Sequence, residues 1–213
     1  MLKVERLAVF IGTANILREV TLHVPAGSMC GLIGRNGAGK TTFIRSVMGL
    51  TKARSGSIEY DQKDLLKVLP HLRTHMGIGY MPEDRGLVPQ FTAEENIRLP
   101  SWASGMKDTE TRLEWIYKLI PEVKDFATRK ASQLSGGQGK MVAMARSLMS
   151  GKKLLLLDEP FEGLAPALAR RLAEVLSNLK DEGLSVLLAE SNEKHVADLL
   201  DTIFVIERGS IQS

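Results

Sequence analysis

Nine residues near the start, Gly34-Arg35-Asn36-Gly37-Ala38-Gly39-Lys40-Thr41-Thr42, constrain this chain more than any other stretch. They follow the apolar run Met29-Cys30-Gly31-Leu32-Ile33 and precede Phe43, Ile44, Val47 and Met48 at helical spacing. A strand therefore passes into a helix through a glycine-rich loop. Glycine lets a backbone approach an anion closely, a helix N-terminus offers unpaired amides, and a lysine adds a point charge. Gly34, Asn36, Gly37, Ala38, Gly39, Lys40, Thr41 and Thr42 are accordingly expected around a polyphosphate, with Lys40 at the β and γ phosphates and Thr41 on magnesium. The competing reading is a plain glycine-rich turn before an ordinary helix, and the rest of the chain argues against it.

With 213 residues, 44% of them hydrophobic and 25% charged, the chain has the make-up of a globular protein. It can build one sizeable core, or a core with an inserted lobe. The formal net charge is only +3 despite a pI near 9.0, which reads as solvated surface charge, and no nucleic-acid partner is expected. Cys30 is the single cysteine, so no internal disulfide forms, and its apolar setting reads as a buried, inert thiol. The opening MLKVERLAVFIG carries charges where a signal peptide needs an unbroken apolar centre, and no run approaches a membrane span. Any role at a membrane must come through a partner.

Residues 1 to 34 read as short strands and turns, broken at Pro25-Ala26-Gly27. Between about Thr92 and Met149 the periodicity is helical, as around Trp115, Tyr117 and Leu119 and in Val142-Ala143-Met144-Ala145-Arg146. Beyond it, Lys152 to Glu159, Ser185 to Ala189 and Thr202 to Ile206 read as strands, with a helix from Leu168 to Leu179. Strand and helix alternate as in a parallel sheet covered on both faces. The expected organisation is a single domain over 1–213. A P-loop α/β core with a β part takes 1–91 and 150–213, and a helical subdomain takes 92–149.

Two further elements carry chemistry. Asp158 ends the run Leu154-Leu155-Leu156-Leu157, where a carboxylate can bind magnesium, and the adjacent Glu159 can polarise an attacking water. Leu134-Ser135-Gly136-Gly137-Gln138 precedes a helix expected to start near Gly139 or Lys140. Its serine hydroxyl and glycine amides suit a second anion site. One chain has little use for two phosphate sites on one nucleotide, whereas two chains arranged head to tail do.

LSGGQ lying between this phosphate loop and LLLLDEP resembles the signature of ATP-binding-cassette ATPases, and the resemblance spans essentially the whole chain. It is nearest to the ATP-binding subunits of bacterial importers for branched-chain amino acids and related polar solutes. Pro82-Glu83-Asp84-Arg85 is similar to that subfamily's PEGR, Thr92-Ala93-Glu94-Glu95-Asn96 to its TVEEN, and Glu162-Gly163-Leu164-Ala165-Pro166 to its EGLAP. The resemblance implies a dimer that sandwiches two ATP molecules with Mg2+, so that Ser135, Gly136, Gly137 and Gln138 serve the partner's nucleotide. It implies that Glu83 senses magnesium and the γ phosphate, and that the helical subdomain with the Glu83 region receives a membrane permease subunit. The partners implied are those permease subunits, a second ATPase subunit and, indirectly, an extracytoplasmic solute-binding protein. The implied location is the cytoplasmic face of the plasma membrane.

Three positions depart from the wider family. The usual adenine-stacking tyrosine aligns with Ile11, which offers an apolar contact instead, while Phe10 either reaches the base or is a strand residue facing the core. The switch histidine aligns with Ser191, which has neither an imidazole's reach nor its charge near neutral pH. Subfamily members also lack this histidine, so Ser191 marks either a site that works without it or a weakened site in an asymmetric pair. His195, a turn further on, reads as a surface residue. Gly139-Lys140 stands where two polar side chains are usual, and the glycine loosens the helix start. The implied activity is ATP hydrolysis driving import; the alternatives are a poorly hydrolysing regulatory partner and a soluble cassette ATPase of DNA repair or translation.

Overall fold

The computed structural model describes residues 1–212. Its first strands, β1 (Leu2–Ile11) and β2 (Ala14–Val24), are ten and eleven residues long and pair antiparallel. They are longer than the short strands the sequence suggests. The register shifts around Arg6 and Glu19, whose φ angles are 45° and 54°, and such bulges break the two-residue alternation that would have revealed continuous strands. After the Pro25-Ala26-Gly27 turn, β3 (Met29–Ile33) runs through residues 34–39 into α1 (Lys40–Val47). β4 (Ala53–Tyr60) pairs with β1 and β5 (Lys63–Asp64) with β4, closing an antiparallel sheet of order β2-β1-β4-β5.

A single turn, α2 (Pro70–Arg73), leads to β6 (Ile78–Met81). Four helices follow: α3 (Ala93–Ser104), α4 (Thr109–Leu119), α5 (Glu122–Asp125) and α6 (Gly136–Ser150). The chain then forms β7 (Leu154–Asp158), α7 (Pro166–Asp181), β8 (Ser185–Glu190), β9 (Thr202–Glu207) and β10 (Ser210–Ile211). The second sheet has the order β10-β9-β3-β8-β7-β6 and is parallel except for β10. This is the P-loop α/β architecture with an N-terminal antiparallel β part and inserted helices.

The four leucines of β7 are all fully buried because each face of the parallel sheet is covered. Leu155 and Leu157 join Val186, Leu188 and the buried side chains of α3, α4, α6 and α7. Leu154 and Leu156 join Leu187, Phe43, Ile44 and the inner faces of β1, β2 and β4. Successive strand residues thus feed two separate cores, which is why the run reads as continuous apolar sequence.

α6 begins at Gly136, three residues earlier than the glycine content suggests. Ser135 caps it: its Oγ accepts from the Gln138 amide at 3.2 Å, and its own amide donates to Gln138 Oε1 at 3.0 Å. This reciprocal box compensates for glycines in the first turn. At its other end α6 touches β6 backbone to backbone. A Cβ on Gly79 would lie 2.1 Å from the Ser147 carbonyl oxygen, and one on Gly151 would lie 3.2 Å from the Gly79 Cα.

Asn96, fully buried on α3, fixes the loop that leaves β6. Its Oδ1 accepts from the Val88 amide at 2.7 Å, and its Nδ2 donates to the carbonyls of Val88 (3.1 Å) and Thr92 (2.9 Å). Asn96→Ala strands these backbone groups away from water, so a loss of about 2–4 kcal/mol is expected. The midpoint of urea unfolding, with an unchanged m-value, measures it.

Candidate nucleotide site

The site lies at the carboxyl ends of β3, β7 and β8, where a parallel sheet leaves a crevice. Backbone bonds lace the three loops together. The Gly34 amide donates to the Glu190 carbonyl at 3.0 Å and the Glu159 amide to the Ala189 carbonyl at 2.9 Å. The Phe161 amide donates to Glu190 Oε1, also at 2.9 Å. β8 therefore serves as the rail against which the phosphate loop and the loop after β7 are both set.

Gly39 caps α1 with φ 114° and no side-chain bond, leaving the first-turn amides of Lys40, Thr41 and Thr42 for an anion. A side chain at Gly34 would put its Cβ 2.3 Å from the Ile206 carbonyl oxygen, so the loop closes only around glycine there. A cavity of about 350 Å³ opens at the loop, lined by Ile16, Asn36, Gly37, Gly39, Lys40, Thr41, Thr42, Glu83 and Glu159. Ala38 lies on the far side of the loop, in a second cavity with Gly34, Arg35, Asn36 and Ser191.

Lys40 is 4% exposed, and its ammonium donates to the Gly34 carbonyl at 2.6 Å and pairs with Glu159 Oε1 at 2.9 Å. Glu159 Oε2 is buried without a partner. Asp158, fully buried, accepts from the Thr41 hydroxyl at 3.2 Å through Oδ1, while its Oδ2 has no partner. Burial pushes the Asp158 carboxyl up to about 6; the Thr41 bond opposes this, and Glu83 and Glu159 add to it. Orphaned buried oxygens beside a phosphate cradle are the donors a hard cation takes. No group of three or more His, Cys, Asp or Glu side chains suited to a metal occurs among the described residues. Thr41 and Asp158 thus fit Mg2+ that brings phosphate and water as its remaining ligands.

The signature stands apart from this cavity. None of Ser135, Gly136, Gly137 and Gln138 lines it, and Ser135 and Gly136 are exposed at the start of α6. Gly137 packs on α7 and the loop before it, where a Cβ would meet Leu168 Cδ2 at 2.3 Å. Arg146 of the same helix donates through Nη1 to the Gly86 carbonyl at 2.6 Å and through Nη2 to that of Arg85, gripping the segment that carries Glu83.

One expectation needs correction, and one holds. Phe10 does not face the core: it is 42% exposed at the end of β1 beside Ile11, itself 55% exposed. Neither lines the phosphate-loop cavity, whose apolar wall is Ile16 of β2. Ile16 lies between Asn15 and Leu17, where the β1–β2 register shifts, so spacing alone could not find it. Ser191 is half-buried and lines the two cavities flanking the loops rather than the one holding Lys40 and Glu159. His195 is exposed as expected, its ring stacked on Phe161 with centroids 5.7 Å apart. Glu190 was missed, although it ends an apolar strand just as Asp158 does.

A phosphate loop, paired strand-end acids and a separate serine-capped signature helix define the ATP-binding cassettes of the P-loop class. The family model described as ABC transporter matches residues 17–162, more than half of the chain, and the chain belongs to that family; its activity is that of an ATPase. It is 34% identical over 211 residues to the high-affinity branched-chain amino acid transport ATP-binding protein BraG of Pseudomonas aeruginosa, covering 99% of this chain and 91% of BraG. The probable branched-chain amino acid transport ATP-binding protein LivF of Archaeoglobus fulgidus is 30% identical, with 99% and 90% covered. The lipopolysaccharide export system ATP-binding protein LptB of Haemophilus influenzae is also 30% identical, with 99% and 88% covered. Among solved structures, the dimeric bacterial ABC transporter cassette MJ0796 superposes with a TM-score of 0.88 at 25% identity, covering 100% of this chain and 97% of that one.

Glu190 gives a pH test of the site's electrostatics. Burial raises its carboxyl to about 7 from an ordinary 4.5, against the pull of the Phe161 amide. Below pH 4.5 the folded and unfolded states both hold the proton, and above 7 the folded state bears the full cost of a buried charge. Glu190→Gln keeps the acceptor and removes that cost. The nucleotide-free variant is expected to exceed the parent by about 2–3 kcal/mol at pH 8.5, with the gap closing as pH falls through 7 to 4.5. Urea unfolding at a series of pH values reads it.

Proposed function

We propose that this chain is the ATP-hydrolysing subunit of an ABC importer for branched-chain amino acids or related polar solutes, acting as a dimer. The observation that carries this reading is the separation of the exposed Ser135 helix start from the cavity that holds Lys40 and Glu159. A γ phosphate bound at Lys40 meets a second set of helix-terminus donors only if another cassette supplies them. ATP then closes the dimer, and hydrolysis reopens it.

The roles follow from chemistry. The amides of residues 37–42 and the Lys40 ammonium bind the phosphates. Thr41 and Asp158, with Glu83 at the cavity rim, would hold Mg2+, which would supply charge neutralisation for the phosphates. As Lys40 turns from Glu159 to the γ phosphate, the carboxylate is released to accept a proton from the attacking water. Residues 92–149 serve as the helical subdomain that meets a membrane permease. No helix of the described residues is long and apolar enough to cross a membrane, which supports peripheral attachment through such a partner.

The branched-chain solute is supported by the 34% identity to BraG across nearly the whole chain, with the lipopolysaccharide exporter ATPases at 30% as the competing direction of transport. Ser191 in place of a histidine favours a second reading, a slowly turning partner in an asymmetric pair. Glu159→Gln is expected to lower magnesium-dependent turnover about 100-fold or more while sparing ATP affinity. It should also make ATP-driven dimers persist in sedimentation runs. Parent-like turnover in this variant would sink the assignment of the base, and the absence of any ATP-driven dimer would sink the composite site.

A further inference from the structure

We propose that Lys140, on the signature helix, is a positioning residue for Glu159 of its own chain. Glu159 has φ 50°, a left-handed conformation that a side chain bearing Cβ adopts only when its surroundings hold it there. Three backbone contacts do so. Its amide donates to the Ala189 carbonyl of β8 at 2.9 Å, and its carbonyl accepts from Lys140 Nζ of α6 at 2.6 Å and, at the longer distance of 3.3 Å, from the Glu162 amide of its own loop. The fourth restraint is the side-chain pair with Lys40, which ATP removes because the ammonium is then needed by the phosphate. At the moment of reaction the bonds that tie the residue to other elements of the fold are those to β8 and to Lys140.

The neighbourhood suits this duty. Lys140 is half-buried and faces Glu159 and Glu162 of the loop after β7, Glu190 of β8 and Arg85 of the loop after β6. Burial pulls its ammonium below the ordinary lysine range and the three acids oppose this, while its hydrogen bond goes to a neutral carbonyl. Its neighbour Gly139 is buried against the Arg85 guanidinium: a Cβ there would lie 3.0 Å from Nη1. The two residues that depart from the usual signature continuation therefore both make contacts within their own chain. One admits the Arg85 side chain, and the other fixes the backbone of the acid beside Asp158. A lysine that merely solvates a helix face would turn its ammonium outward.

The proposal rests on Glu159 acting as the base, so the test separates the two. Lys140→Met, Lys140→Arg and Glu159→Gln are compared in the full chain for ATP affinity, kcat and KM. Amide hydrogen exchange over residues 158–162 is followed alongside, because it needs no turnover. Lys140→Met is expected to lower kcat about 10-fold or more, leave KM and ATP affinity within about two-fold, and speed exchange of the Glu159 amide, with Lys140→Arg restoring most of both. Parent-like exchange, or parent-like kcat, in Lys140→Met overturns the proposal while Glu159→Gln remains inactive. An active Glu159→Gln overturns the base itself. Should Lys140→Met fail to fold, Lys140→Gln, polar but too short to span the gap, takes its place against Lys140→Arg with the same readings.

Discussion

The buried pair between Lys40 and Glu159 joins the two halves of the site, and most of the local geometry exists to sustain it. A lysine only 4% exposed needs a counter-charge and acceptors for its remaining protons, and it finds them in Glu159 Oε1 and in the carbonyls of Gly34 and Arg35. Those carbonyls are available because glycine lets the loop fold back over the ammonium. The carboxylate is available because Glu159 turns left-handed directly after a strand with no solvent-facing side. The pair therefore connects β3, the phosphate loop and β7.

Asp158, Glu159 and Glu190 together place three carboxyls of low exposure at neighbouring strand ends. Such a cluster is costly to hold without compensating cations, which is why two of the three have carboxyls raised well above the ordinary range. Lys40 reaches them from the phosphate loop and Lys140 from the signature helix. Charge balance at the strand ends is thus shared between two lysines, and in the function proposed above nucleotide would capture the first and leave the second in place.

Much of this was legible in the residues themselves. The strand-to-helix setting of the glycine loop, the four-leucine strand ending in acids and the helical stretch before it all rest on local patterns that tertiary packing reinforced. Ser135 and Gln138, three apart, form a capping box that sets the start of α6 at Gly136, but the glycines between them masked it. What stayed hidden depended on bulges and on contacts between distant segments. Ile16 reaches the cavity from within the irregular β1–β2 pairing, and the bond from Lys140 to the Glu159 carbonyl joins residues that no periodicity connects. Glu190 stayed hidden for a different reason: one acid at the end of an apolar strand carries no motif of its own, and only the fold sets it beside Asp158 and Glu159.

The close approach of Gly79 and Gly151 has a mechanical meaning. With no side chain between them, the end of α6 rests directly on β6, which makes this contact the natural pivot for any movement of the helix. Fifteen residues of helix give an arm of about 22 Å at 1.5 Å per residue. A tilt of about ten degrees then sweeps the Ser135 end through about 4 Å, more than the length of a hydrogen bond. In the dimer proposed above, a rotation this small about the glycine contact would set whether the Ser135 end meets a neighbouring cassette.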